Sequence, residues 1–269
     1  MISAYRDNDR VNTSDEATAR SLPLDWAWLL ARAHGDEVPD TPPPDTSLTR
    51  RFLPVVEAPI PSDRPLVVAH LAQSIDGRIA LPDGESQWIT GADDLTHTHR
   101  LRALCDAVLV GANTVACDDP RLTVRRCSGP HPLRIVVDPS GRLPADRTIY
   151  SDGHPTLRIC REGTSPLPGV SDLPVGEAID LPDLLARLRQ RGVRRLFVEG
   201  GGVTLAHLLA ARVVDRLHLV MAPLLVGEGR ASVSGVVGAT LADCPRPTVR
   251  VSPLGTDWLF DCSFASGTP

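Results

Sequence analysis

Glu199 closes the apolar run Arg195-Leu196-Phe197-Val198 and is followed at once by Gly200-Gly201-Gly202. A carboxylate at the end of a buried strand is costly to desolvate unless it meets a partner. Two partners fit here: the hydroxyls or pyrimidine of a ligand, or local N–H groups that the carboxylate caps. Glycines have no Cβ, so their backbone can come close to a phosphate. A helix starting after them offers free N–H groups and a partial positive charge; a plain tight turn is the other reading. The spacing is not G-x-G-x-x-G, so the Rossmann fingerprint is absent. Asp118-Asp119-Pro120 has the carboxylates for a metal, but no third ligand lies at metal spacing, and Asp before Pro suits a turn equally well. No metal is expected. Arg125 and Arg126 offer a fork for an anion or form a solvated face. His97 and His99 are two residues apart, so they do not share a helix face, and a zinc pair is not expected. Hydrolase chemistry lacks its G-x-S-x-G elbow.

These groups need elements to hold them. Leu66 to Ala72 reads as a buried strand. Leu95 to Leu104 reads as a helix carrying His99 and Arg102, and Asp106 to Gly111 as a strand and turn. Further strands are expected at Leu133 to Asp138, Thr156 to Cys160, Arg195 to Glu199 and Val214 to Pro223. Helices are expected at Leu181 to Arg191, stopped by Gly192, and at Thr204 to Arg212. Strands alternating with helices imply an α/β domain with a mostly parallel sheet. Val249 to Val251 and Trp258 to Cys262 add a closing antiparallel pair, which makes the sheet mixed.

Residues 1–63 differ in texture and read as an N-terminal arm on a Pro-rich linker, with the main domain at 64–269. Leu22 to His34 is a short helix candidate with Gly35 as its C-cap. Pro39, Pro42, Pro43 and Pro44 then stop it. The arm docks on its own body, reaches a second subunit, or stays disordered. The N-terminus has no apolar core of the kind a signal peptide needs, and no apolar run is long enough to span a membrane. Net charge of −5 argues against non-specific nucleic-acid binding. The six cysteines form no C-x-x-C pair and are expected to be free thiols in a cytoplasmic protein.

The ordered set Ser74-Ile75-Asp76-Gly77-Arg78-Ile79-Ala80, Ser86-Gln87-Trp88-Ile89-Thr90, Leu101-Arg102-Ala103, Thr114 to Arg125 and Val198 to Gly202 resembles the pyrimidine reductase family of riboflavin biosynthesis. The resemblance runs from about Pro65 to Phe264. It implies a dihydrofolate-reductase-like fold, a mixed and mostly parallel sheet flanked by helices, in a homodimer. It also implies NADPH-dependent reduction of the ribose of 5-amino-6-(5-phosphoribosylamino)uracil to a ribityl chain. Ala72, Trp88, Thr114, Asp118, Pro139, Gly201 and Gly202 are then expected to line the NADPH site, with Arg161 reaching the 2′-phosphate.

By the same resemblance His70, Ser86, Arg102, Leu122, Arg125 and Glu199 are expected to contact the phosphorylated pyrimidine substrate, Arg102 and Arg125 at its 5-phosphate. No catalytic acid or base is assigned. Two departures stand out. The zinc deaminase motifs that bifunctional members carry, H-x-E and P-C-x-x-C, are absent. His70 stands where many members have Lys, either as a structural variant or as a mark of altered substrate choice. Two competing functions remain: a paralogue reducing another heterocycle or carbonyl, and a ligand-binding protein that has lost turnover.

Overall fold

The computed structural model describes residues 22–38, 43–87 and 89–264. In chain order the elements are α1 (Leu24–His34), α2 (Ser47–Val56), β1 (Leu66–Ser74), β2 (Arg78–Ala80), α3 (Ala92–Leu104), β3 (Ala107–Gly111), α4 (Ala112–Asp118) and β4 (Leu133–Val137). They continue with α5 (Thr148–Ser151), β5 (Thr156–Arg161), β6 (Ser171–Val175), α6 (Leu181–Gln190), β7 (Arg195–Glu199) and α7 (Gly202–Ala210). The last are β8 (Arg216–Ala222), β9 (Arg230–Ala231), β10 (Thr248–Leu254) and β11 (Asp257–Ser263).

Nine strands form one sheet in the order β10-β11-β8-β1-β7-β3-β4-β5-β6. From β8 to β6 all neighbours are parallel, and β11 adds antiparallel to β8, with β10 antiparallel to β11. This is the mixed, mostly parallel sheet flanked by helices that was expected. β1 is apolar on both faces from Leu66 to Ala69 because both faces are covered. Successive side chains alternate between faces. Val68 packs with α1, α2 and α3 on one side. Val67, Ala69 and Leu71 pack with α6 and α7 on the other. The carboxyl ends of β1, β7, β3 and β4 therefore open on one edge, where ligands of open α/β sheets bind.

Residues 24–34 form the expected helix, closed by Gly35. Trp26, Leu29 and Ala33 dock on the chain's own body, in a core shared with Phe52, Leu101 and Phe197. α2 lies in the stretch read as linker. Thr46 and Thr49 cap each other reciprocally, and Phe52, Val55 and Val56 form its buried side. The usual signature has Glu or Gln at the third position. Threonine there, and Pro54 inside the helix, hid the element. Arg195, 3 % exposed at the start of β7, ties both helices down. Its guanidinium donates to Ala33 O at 2.6 Å and Val56 O at 2.7 Å, at the two C-terminal ends. The short α4 and β6 and the β2–β9 ribbon were also not anticipated.

Candidate active site

α3 turns an ionic face toward the sheet. Asp94, His97 and Arg102 are all buried, although a helix packed on a sheet normally buries an apolar stripe. Each inward group meets one on a strand. Arg102 donates through Nε to Glu199 Oε2 at 2.7 Å and through Nη2 to Glu199 Oε1, and its Nη1 donates to Thr123 O at 2.9 Å. His70 Nε2 lies 2.8 Å from Asp94 Oδ1, and Asp94 Oδ2 accepts from Thr90 Oγ1 at 2.7 Å. His97 Nε2 lies 2.9 Å from His218 Nδ1. The far nitrogen of His218 faces Asp261 at 3.5 Å, while Asp261 also takes both arms of Arg216. With Asp261 beside Nε2, that nitrogen of His218 carries the proton, so His97 Nε2–H donates to His218 Nδ1.

The sheet register explains the cluster: His70 is opposite Glu199 on β7 and His218 on β8. Burial pushes the imidazole of His70 down, but Asp94 and then Glu199 outweigh it, and the ring is held above its ordinary value. Burial raises Asp94, and His70 more than reverses this, so its carboxyl sits low. The two form an ion pair. Burial, with little to oppose it, lowers His97 well below the ordinary value, and His218 is lowered too. Both are neutral.

The rim follows from the loops at the carboxyl edge. Gly200 and Gly201 have φ of +106° and +44°, a region costly for residues with a Cβ. The Cβ that Gly200 lacks would lie 3.2 Å from Thr114 Oγ1. A strip of bare backbone thus lies beside a hydroxyl and runs into the first turn of α7, whose N–H groups have no intrahelical partner. This fits the diphosphate of a dinucleotide. Gly202 does something different. Its missing Cβ would lie 2.3 Å from Ser232 O, so it lets the chain after β9 pass against α7. Asp118 is half-buried at the end of α4. Burial and then the charge of Glu199 push its carboxyl up, against Arg230. Arg230 also lies close to Gly84, so it sits between the 81–91 loop and Asp118.

Asp119, φ +42°, accepts from Thr148 N and Oγ1 at 2.9 and 2.7 Å, which makes it a turn anchor. Leu122 also has positive φ, +55°, and its side chain is buried in the core that Leu101 shares. Two non-glycine residues in this region within four positions store about 1–3 kcal/mol each. The segment after them is held against α3: Arg125 N–H donates to His99 Nδ1 at 2.8 Å, and Arg125 Nη1 to Thr123 Oγ1 at 2.7 Å. Burial and then Arg102, Arg125 and Arg126 push His99 down to about 3, so it is neutral with its proton on Nε2.

Of the expected site residues, His70, Arg102 and Glu199 form one buried cluster, and Thr123 joins Arg102 to Arg125. Asp118 and Thr114 face the Glu199–Gly200 end. Ala72 lies half-buried near the end of β1, opposite Val220. Pro139, half-buried after β4, accepts from Arg161 N–H at 3.0 Å. Ser86 is exposed on the 81–91 loop, beside a cavity of about 220 Å³ lined by Leu81, Gln87, Ile89, Leu224 and Leu225. Trp88 lies outside the described residues. Arg161 pairs with exposed Glu177 at 3.4 Å. A larger cavity, about 360 Å³, lies at the amino ends of β1 and β8 between Pro54, Leu66, Arg216 and Phe264, away from these groups. The sequence reading missed Asp94, Thr123, His99 and Arg230. An ionisable His70 inside an apolar run was the available signal for a buried acid, since such a group needs a partner.

Among the described residues no group of three or more His, Cys, Asp or Glu is placed to hold a metal, and no helix is long and apolar enough to cross a membrane. A model of the RibD C-terminal domain family matches residues 65–251. The chain is 36 % identical over 211 residues to the 2,5-diamino-6-ribosylamino-4(3H)-pyrimidinone 5′-phosphate reductase of Methanothermobacter thermautotrophicus, covering 74 % of this chain and 97 % of that one. It is 37 % identical over 186 residues to the Archaeoglobus fulgidus protein of the same name, covering 63 % and 84 %. The solved deaminase/5-amino-6-(5-phosphoribosylamino)uracil reductase of Thermotoga maritima superposes with a TM-score of 0.68 at 26 % identity. That match takes in 81 % of this chain and 60 % of the Thermotoga one, so the chain spans about three fifths of that structure's length. The chain belongs to the RibD C-terminal domain family.

Proposed function

We propose that the protein is an NADPH-dependent oxidoreductase of riboflavin biosynthesis that reduces the ribose of 5-amino-6-(5-phosphoribosylamino)uracil to the ribityl product. The observation that carries this reading is the junction at the end of β7. A half-buried, Arg-clamped carboxylate, Glu199, adjoins a bare-backbone loop that opens onto a helix N-terminus. Ala72, Trp88, Thr114, Asp118, Pro139, Gly201 and Gly202 line the cofactor, Gly202 by letting the 231–234 segment close against α7. Arg161, at the end of β5, is the cation assigned to the 2′-phosphate. When bound, the reduced nicotinamide supplies the hydride that C1′ of the sugar receives.

The chain's own residues orient and exclude. Glu199 accepts from the sugar hydroxyls or the pyrimidine, and Arg102 fixes the rotamer from which it does so. Arg125, exposed on the rim, takes the 5-phosphate; Ser86 and the backbone at Leu122 complete that side, and His70 forms the floor. Holding C1′ against the hydride donor accounts for much of the rate.

Purified protein mixed with NADPH and the ribosylaminouracil phosphate should lose reduced-nicotinamide absorbance with formation of the ribityl amine. NADPH binding without any oxidation would defeat the reading. The names of the Methanothermobacter and Archaeoglobus relatives give a second substrate, the 2,5-diaminopyrimidinone, and the two compounds offered side by side decide between them by kcat/KM. The domain division at residue 63/64 and a cytoplasmic location belong to the same proposal. So does a homodimer. β10 is an edge strand, and Val249, Val251 and Trp258, which share one face of the β10–β11 pair, are 42 %, 52 % and 52 % exposed. Such an edge is a pairing hazard unless covered. Light scattering should report twice the chain mass, and Val251→Lys should give monomer.

A further inference from the structure

His70 breaks the apolar run of β1 with an ionisable ring, 7 % exposed, at the level of Glu199 where the sheet opens. Its Nε2 is taken by Asp94, 2.8 Å away. Asp94 is fixed in its turn by Thr90 Oγ1 at 2.7 Å and lies 3 % exposed in the first turn of α3. The rings of His97 and Phe197 lie beside the imidazole, with centroids at 5.9 and 6.5 Å. Nδ1 of His70 has no protein partner among the described residues, yet it is not sealed in as the unpaired Nδ1 of His97 is. A buried His–Asp pair at the carboxyl edge of the sheet, with one ring nitrogen occupied and the other not sealed in, is arranged for proton transfer.

We propose that His70 is the acid of the reaction and Asp94 its positioning residue, with the proton passing from His70 Nδ1 to the ring oxygen of the substrate's sugar. The proposal rests on the reductase reading above. As the C1′–O4′ bond breaks, its electron pair goes to O4′, which takes the proton and becomes the 4′-hydroxyl. The lone pair of the exocyclic nitrogen forms C1′=N. C1′ would then accept the hydride that a bound reduced nicotinamide supplies, with the C=N electron pair returning to nitrogen. One proton and one hydride are consumed, and solvent reprotonates His70.

The charges around the ring suit this role. Asp94 and Arg102 face it from α3, Glu199 from β7, and neutral His97 and His218 from α3 and β8. The two carboxylates outweigh burial and the one guanidinium, so the ring holds its proton more tightly than an ordinary histidine. The ring thus loses its proton only above its ordinary titration range, and activity falls on that alkaline side.

Two readouts test the pair. In the cofactor-free protein, imidazole nitrogen NMR should show His70 titrating above the ordinary value of about 6.5, and Asp94→Asn should move it down. In turnover, His70→Gln should lower kcat by about 100-fold or more, the scale of a lost general acid, with KM little changed. Asp94→Asn should shift the alkaline limb of kcat to lower pH. His70→Lys should restore turnover with that limb moved up. Circular dichroism identifies variants that fail to fold, in which case the NMR titration of the wild-type ring decides. Wild-type turnover with His70→Gln keeping more than about a tenth of kcat, or a wild-type ring neutral at pH 6, overturns the acid role alone. A wild type that binds NADPH and never oxidises it overturns the reductase reading and this role with it.

Discussion

Replacing Arg102 by Met separates two roles that an arginine in this place could have. In the structure the guanidinium is engaged by Glu199 and by the carbonyl of Thr123, and the two side chains of the pair are 8 % and 19 % exposed. Removing one partner of a buried pair costs about 3–5 kcal/mol, because the other charge is left without compensation. Glu199 keeps some contact with solvent, which puts the expected loss at the lower end, about 3 kcal/mol. That is on the order of a hundredfold in the folding equilibrium. Urea unfolding of Arg102→Met, Glu199→Gln and the double variant should give a coupling energy of about 2 kcal/mol, within the range for residues in contact. The kinetic arm is sharper. An arginine that orients Glu199 affects every substrate alike, so Arg102→Met should lower kcat/KM equally for the phosphorylated pyrimidine and its dephosphorylated counterpart. An arginine that binds the 5-phosphate penalises only the phosphorylated compound. Coupling below about 0.5 kcal/mol, together with a loss confined to the phosphorylated substrate, would refute the clamp.

Arg195→Met should lower stability by about 2–4 kcal/mol, since two charge-assisted hydrogen bonds are lost and part of the burial cost of the charge is recovered. Trp26 fluorescence should report α1 loosening before the sheet melts; a single unchanged transition would count against the tie. Gly202→Ala forces a Cβ against the carbonyl of Ser232, so it should cost about 1–3 kcal/mol and weaken NADPH binding, as a urea midpoint and a fluorescence titration would read. His99 makes an acid-side prediction. Its folded value is pushed down to about 3, so between its ordinary value near 6.5 and 3 the unfolded chain binds a proton that the native one does not. Stability therefore falls as pH drops through that window. His99→Gln should flatten this part of the curve, and an unchanged slope would show that the ring is not held neutral.

How much of this was legible in the sequence depended on which physical rule governed each stretch. The inner parallel strands announce themselves, because burial on both faces demands runs such as Leu66-Val67-Val68-Ala69 and Leu196-Phe197-Val198, whereas the half-exposed edge strand β6 does not. The glycine loop and Glu199 were legible for the same reason, being polar or bare residues at the end of such a run. α2 was not. Its signals are a threonine where a capping box usually has Glu or Gln, and a proline inside the helix, a residue that ordinarily argues against one. The partners of the cluster were hidden by distance along the chain. Arg102 meets Glu199 across 97 residues and His97 meets His218 across 121, and no local pattern encodes a contact of that span. Asp94 was hidden by plausibility, because an acid in the first turn of a helix already has a reason to be there.

α3 shows why the last of these matters most. An apolar face on that helix would bury more cheaply, and a buried ion pair replaced by packed hydrophobic residues is often more stable. Asp94, His97 and Arg102 are nonetheless buried along with Leu101 and Leu104. The strained turn at Asp119 and Leu122 lies along the same helix, held there by Arg102 and His99 through Thr123 and Arg125. Local rules fail where function has overridden stability. The two failures coincide in space, one in the helix pattern and one in the backbone torsions. The inward polar face of α3 also sets the geometry of the carboxyl-edge crevice: it fixes Glu199 from one side, His70 from another, and the 119–125 segment from the third. Substitutions that make this face apolar, such as a His97→Leu and His218→Leu pair, should then raise stability while leaving the NADPH loop intact. They would lower turnover only as far as they let the His70 ring move, and that is the measurement on which the positioning argument stands.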